Sequence, residues 1–291
     1  MARAVVQNNG ARTVGPREDR DVFRWLLLLM VPVVVTGCVW VEADLSGETS
    51  PRGSGIDVRK GNLEMEKTPD LPVYHCKKVA REVQVTGKLD DPLWNDAAIA
   101  KLVRADNGGE ARYLTEARLR YSDTTLYIGF HCVDEYVWGT RTEHDSDVWT
   151  EECVEAFICP AGSPHQYYEI NVSPKNVVFD ACILNPRIGP GMRTPFIGLS
   201  QYTATGLITA VYVEGTLGAP GRSRFWNAEY AIPFDQLIGA PHVPPEPGDE
   251  WRLNLYRIDS PEPGKQEFYA WSPPKIIDFH TPWRFGILRF G

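Results

Sequence analysis

The sequence is poor in what several large classes of protein require. It has no excess of basic charge: 30 Lys and Arg stand against 38 Asp and Glu in 291 residues, a formal net of −8 at pH 7. Residues 1–37 hold five of the basic groups and three of the acidic ones, so residues 38–291 carry 25 against 35, a net of −10. A polyanion would be repelled, which argues against nucleic acid as a partner. Methionine and histidine are scarce, and beyond residue 38 only Met65 and Met192 remain. Axial ligation of haem needs well-placed Met or His, so a haem-binding role is disfavoured. The cysteines, at 38, 76, 132, 153, 159 and 182, follow no zinc-ligand spacing. Helical periodicity is confined to short turns at 92–98 and 234–237. No repeat of 20–50 residues is visible. What the chain does have is aromatic surface: nine Trp, twelve Tyr and eleven Phe. Such rings serve both cores and ligand-binding faces.

One apolar run stands out. Arg17, Arg20 and Arg24 precede a stretch from Trp25 to Val35, followed by Thr36, Gly37 and Cys38. A basic segment, a short apolar one and small residues describe an export signal. The run is too short to cross a bilayer comfortably. Its ending, Val35-Thr-Gly-Cys38, resembles the lipobox of bacterial lipoproteins. That resemblance implies lipidation of Cys38, with residues 1–37 removed, and attachment to a membrane of the cell envelope. Val39, in place of an Asp, leans towards the outer membrane. An ordinary signal peptide with an incidental Cys is the rival reading. The signal begins late, near Arg17, which leaves the start codon open. Residues 38–74 are rich in Gly, Ser, Pro and charge. They cannot bury enough apolar surface to offset chain entropy, and are expected to be a flexible tether. With Cys38 lipidated, five cysteines remain, so at least one is unpaired. Four of them sit in strand-like runs, where a free Cys behaves as a small hydrophobe. Buried thiols are expected, with at most one or two disulfides.

Residues 75–291 read as short β-type runs divided by turn chemistry, at 82–85, 117–121, 126–133, 153–159, 167–172, 177–183, 202–203, 208–215, 226–232, 251–258, 267–271 and 285–290. Ser122-Asp-Thr-Thr125 joins two of them as a hairpin. So many strands in one stretch predict an all-β fold, a two-sheet antiparallel β-sandwich of jelly-roll type. Alternation sorts the faces. Val154, Ala156 and Ile158 share one side of their run, and Cys153, Glu155 and Phe157 the other. Tyr168, Ile170 and Val172 oppose Tyr167, Glu169 and Asn171, while Leu253 and Leu255 oppose Arg252, Asn254 and Tyr256. One sheet face is therefore expected to carry Glu155, Glu169, Asn171, Asn254 and Tyr256, with Arg118 and Arg120 as candidate additions.

Several pieces of this domain, in order, resemble the family 9 carbohydrate-binding modules. They are Gly87-Lys-Leu-Asp-Asp-Pro-Leu-Trp94, the hairpin from Ala117 to Phe130, Val148-Trp-Thr-Glu-Glu-Cys-Val-Glu-Ala-Phe-Ile158, Trp271-Ser-Pro-Pro274, Phe279-His-Thr-Pro282 and Phe285-Gly-Ile-Leu-Arg289. The resemblance implies non-catalytic binding of a polysaccharide or oligosaccharide of the xylan or cellulose type. It places one sugar-stacking ring at Trp149, the key carboxylate at Glu155, an amide at Asn171, and further polar groups at Asn254 and Tyr256. The second ring falls on Phe279 where a Trp is usual, and Glu169 stands where the family has a basic residue. These departures bear on the ligand more than on the fold.

Chemistry supports the assignment independently. A sugar has an apolar C–H face that packs on an aromatic ring and a hydroxyl rim that carboxylates and amides can read. A mid-strand carboxylate such as Glu155 is costly without a use. Three other readings compete. Glu155 and Glu169 would be a retaining hydrolase pair at a separation of about 5–5.5 Å. The segment His144, Asp145, Asp147, Glu151 and Glu152 offers oxygen ligands for a structural calcium ion, against a plain solvated acidic loop. A scaffold that kept the fold and lost sugar binding is the last. No cofactor is expected, and the oligomeric state is not legible.

Overall fold

Alternating β-branched and aromatic residues make strands because they fill a pleated, half-buried surface. A computed structural model describes Val5–Asn8 and residues 70–291, apart from positions 188 and 193. Cys38, the apolar run before it and the segment up to residue 69 lie outside the described residues.

A short strand, β1 (Val5–Asn8), pairs antiparallel with β11 (Ile208–Gly215). The domain then runs through β2 (Val73–Lys78), two-residue strands β3 (Ala100–Lys101) and β4 (Val103–Arg104), and the hairpin of β5 (Thr115–Tyr121) and β6 (Thr125–Val133). Next come β7 (Cys153–Cys159), β8 (Gln166–Val172), β9 (Val178–Leu184) and β10 (Ile197–Leu199). After β11 follow β12 (Ser223–Pro233), β13 (Glu250–Glu262), β14 (Lys265–Ala270) and β15 (Gly286–Phe290). The β5–β6 hairpin closes as its composition predicts: Ser122 Oγ accepts from the backbone N–H groups of Thr124 (3.2 Å) and Thr125 (3.1 Å).

The fold is all-β and jelly-roll-like, but its ladder is continuous. In sheet order the strands run β11-β12-β6-β5-β2-β15-β13-β7-β8-β9-β10. Two antiparallel groups are joined by β2, which runs parallel to both β5 and β15. The expectation of two separate antiparallel sheets is corrected to this extent: β2 stitches the edges that an open sandwich would leave unpaired. β2 also begins at Val73, inside the stretch expected to be tether. The runs at 82–85 and 202–203 form no ladder, whereas Ile197–Leu199, missed in the sequence, does.

The curl encloses one main core. Leu119, Ile128, Phe130, Trp226 and Tyr230 from one group meet Val154, Ala156, Ile158, Ile170, Leu253, Leu255 and Leu288 from the other. The face assignment by alternation holds for these strands. The segment 86–94 is pinned across the outside. Glu229 accepts from the backbone N–H of Thr86 (2.5 Å) and Gly87 (2.6 Å) and from Trp94 Nε1 (2.8 Å). Gly87 sits at φ +79°, and a Cβ there would lie 2.6 Å from the Val211 carbonyl carbon; only glycine fits. Cys76, Cys132, Cys153 and Cys159 are buried free thiols, and Cys182 is a half-buried one.

Candidate functional site

The opposite face of the β13-β7-β8-β9 group is not open to water. Residues 272–285 fold back over it and build a second, smaller core on Phe157, Tyr167, Ile183, Tyr256 and Phe285. Between that cover and the sheet lies a cavity of about 330 Å³, lined by Trp149, Glu155, Phe157, Glu169, Phe179, Ile183, Phe196, Gly198, Ile258, Phe268, Ile277, Asp278, Phe279 and His280. Its size is at the small end of ligand cavities, about 300–1,000 Å³. Five of its aromatic residues, Trp149, Phe179, Phe196, Phe268 and Phe279, are half-buried.

Strand register explains the floor. Glu155 on β7 stands opposite Asn171 on β8, and Phe157 opposite Glu169, so the two carboxylates are diagonal neighbours on one face. Asn171 in turn faces Phe179 on β9. Among the described residues Glu155 accepts only from Cys153 Sγ (3.3 Å), and Glu169 Oε1 accepts from Asn171 Nδ2 (2.9 Å). Burial drives the Glu155 carboxyl well above the usual range, and the charge of Glu169 adds to the effect. Burial also raises Glu169, to about 7, with the Asn171 bond opposing.

The walls are held in place by neighbours. Trp149 meets Phe179 edge-on at 4.7 Å. Phe279 stacks flat on Tyr256, with centroids 3.9 Å apart and 11° between planes. His280 lies against Phe196 at 3.8 Å and its Nδ1 is 2.8 Å from the Tyr167 hydroxyl. That hydroxyl already accepts from Asn185 Nδ2 at 3.1 Å. Its one proton is free to be donated to Nδ1, an arrangement in which the ring proton of His280 sits on Nε2, 3.8 Å from Glu169 Oε2. Burial pushes His280 down to about 3, so the ring is neutral.

Of the six predicted binding residues, the structure brings Trp149, Glu155 and Phe279 to the cavity wall. Asn171 lies just behind it and orients Glu169. Asn254 and Tyr256 do something else. Asn254 Nδ2 donates to the Ser272 carbonyl (2.8 Å), and its Oδ1 accepts from Ser272 N (2.9 Å) and Leu255 N (3.0 Å). Tyr256 donates to the Phe279 carbonyl at 3.0 Å. Both residues are fully buried and hold the covering segment down. Sequence reasoning missed Phe179, Phe196, Phe268, Asp278 and His280 as lining. Alternation along β9 could have found Phe179, whereas nothing local marks Phe196.

The suggested acidic loop is split by the fold. His144 and Asp145 join Asp180, and Glu152 joins Asp134 and Asp259 in a buried group. Both groups offer donors that a calcium ion takes. Each already contains a protein cation. Arg257 Nη2 reaches Asp134 (2.7 Å) and Asp259 (2.8 Å), and His144 is raised to about 9, mainly by its bond to Asp180. Glu151 instead accepts from the backbone N–H of Thr140 at 2.7 Å. Arg118 pairs with Glu116 (3.0 Å) beside a second cavity on the outer face of β5 and β6, and Arg120 donates to the Leu93 carbonyl (3.0 Å). Neither joins the site.

Comparison with known proteins names the class. Residues 110–290 match the sequence profile of carbohydrate-binding family 9, and the chain belongs to that family. It is a family of binding modules rather than of hydrolases, and the Glu155–Glu169 pair is read accordingly. An "Extracellular protein" of the fungus Arthroderma benhamiae is 29% identical over 173 residues, 57% of this chain and 73% of that one. A provisionally assigned carbohydrate-binding protein from Bacteroides uniformis superposes with a TM-score of 0.58 at 18% identity, over 76% of this chain and all of that one. A family 9 module from Caldicellulosiruptor kristjanssonii in complex with cellotriose superposes with a TM-score of 0.46 at 12% identity, over 75% of this chain and 93% of that one.

Proposed function

We propose that the domain binds a sugar unit of an oligosaccharide or polysaccharide in the cavity bounded by Trp149 and Phe279. The observation that carries this reading is the joint lining of one cavity by half-buried aromatic rings and two buried carboxylates. The rings offer faces for the C–H side of a pyranose, and Glu155 and Glu169 offer acceptors for its hydroxyls. The protein acts outside the cytoplasm, attached by lipid at Cys38, and presents the module to incoming fragments. Two measurements test these statements. Calorimetry against soluble oligosaccharides should show binding that Trp149→Ala and Glu155→Ala each weaken at least tenfold. Absence of binding to every oligosaccharide would overturn the reading. Metabolic labelling with a fatty acid should mark the wild type and leave Cys38→Ala unlabelled.

A scaffold role is the second reading. What favours it is the commitment of Asn254 and Tyr256 to backbone partners, which removes two polar groups from the ligand's reach.

A further inference from the structure

The ionisable groups that face the cavity are one-sided, acids without a free cation. Glu155 is 2% exposed and Glu169 7%, yet both reach the cavity wall, and Asp278 lines it as well. Among the described residues no Lys or Arg forms an ion pair with either glutamate. The nearby guanidinium of Arg187 is engaged with Asp278 Oδ2 at 2.8 Å and lies over Phe196 at 5.5 Å. Glu155 accepts one weak bond from a thiol, so most of its acceptor capacity is unused. The walls reinforce the same sign. Trp149, Phe179, Phe196, Phe268 and Phe279 present aromatic surface, whose π faces attract cations. The one imidazole at the wall is neutral.

Sugars fall into three classes by charge. A uronic or other acidic sugar would bring a further anion to buried carboxyls that have no cation beside them. A neutral sugar can exchange hydrogen bonds with the carboxyls but gives them no counter-ion with which to ionise. A protonated amino sugar supplies three N–H donors and, at the same atom, the positive charge that lets the buried carboxyls ionise, and charge-assisted bonds are the stronger kind.

We propose that this cavity is specific for an amino sugar, with the ammonium held between Glu155 and Glu169 and the pyranose ring against Trp149 and Phe279. The inference rests on the carbohydrate reading above and names the substrate class for that same site. The departure of residue 169 from the family's basic residue then has a function. It replaces a cation beside Glu155 with a second acid, which can ionise against a ligand's ammonium.

The test is calorimetric titration of the full-length protein, near neutral pH, with three oligomers of equal length: β-linked glucosamine, its N-acetylated form and cello-oligosaccharide. The glucosamine oligomer should bind at least tenfold tighter than either of the others, a difference of about 1.4 kcal/mol. Glu169→Gln, checked by its melting temperature, should bring the three affinities to within about twofold. If the cello-oligosaccharide or the N-acetylated oligomer binds as tightly as the amine or more so, the amino-sugar inference falls while sugar binding stands. If none of the three binds, both fall. If Glu169→Gln folds and keeps the full preference, the ammonium is held elsewhere and the inference is likewise overturned.

Discussion

Replacing Glu152 by Gln should make the protein more stable at neutral pH, although Glu152 sits in the core beside an arginine. Its side chain is fully buried, and among the described residues neither oxygen has a partner at hydrogen-bond distance, the Trp138 backbone giving minor support to the charged form. Asp134 and Asp259 lie beside it, and Arg257 is shared between those two. Burial raises the Glu152 carboxyl from 4.5 to about 10, Asp134 adds to the rise, and Arg257 opposes it. The folded state therefore retains a proton that the unfolded chain releases above about 4.5. Stability is lost as pH rises from there towards the folded value, at about 1.4 kcal/mol per pH unit. Between pH 4.5 and 7 the loss comes to about 3 kcal/mol, and Gln, which does not titrate, escapes it. Any packing difference between Gln and protonated Glu is the same at both pH values and cancels in the comparison. Urea denaturation of both forms across this range, with chelator present, measures the difference. In melting temperature it corresponds to a relative gain of about 6–12 °C for a domain of this size. Parallel stability curves would refute the reasoning. A variant that loses ground as pH rises would show that Glu152 is ionised in the fold, held by Arg257 or by a metal ion.

Arg257→Met should destabilise by about 3–5 kcal/mol, because it leaves Asp134 and Asp259 buried without a cation; thermal denaturation reads this directly, and an unchanged melting temperature would contradict the pairing. Trp149→Ala should weaken sugar binding at least tenfold and cost less stability than Phe279→Ala, which also strips the stacking cover from Tyr256. Calorimetry and melting of the two variants separate those effects. Asn254→Ala removes three bonds to backbone and should cost about 1–3 kcal/mol, while its effect on affinity, transmitted only through the covering segment, should be smaller than that of Trp149→Ala.

Period-two alternation was enough to sort β7, β8 and β13. The aliphatic rows Val154-Ala156-Ile158 and Leu253-Leu255 can be buried only on one face, and that forces Glu155, Glu169 and Tyr256 onto the other. Glu155 was legible through that alternation, and Trp149 through the resemblance of segment 148–158 to the family's motif. The join through β2 was not, since a parallel partner is chosen by which strand edges meet after the chain has curled, and no local pattern carries that.

The sequence by itself determined the all-β class, the two faces of each strand and the aromatic and acidic character of one of those faces. Only the tertiary structure decided what that face does. Segment 272–285 returns to cover it, which turns Asn254 and Tyr256 from apparent ligand readers into anchors and brings Phe196, Phe268 and His280 to the cavity from distant parts of the chain. Alternation is a local property of the backbone, whereas a cavity exists only where remote segments meet and leave space between them.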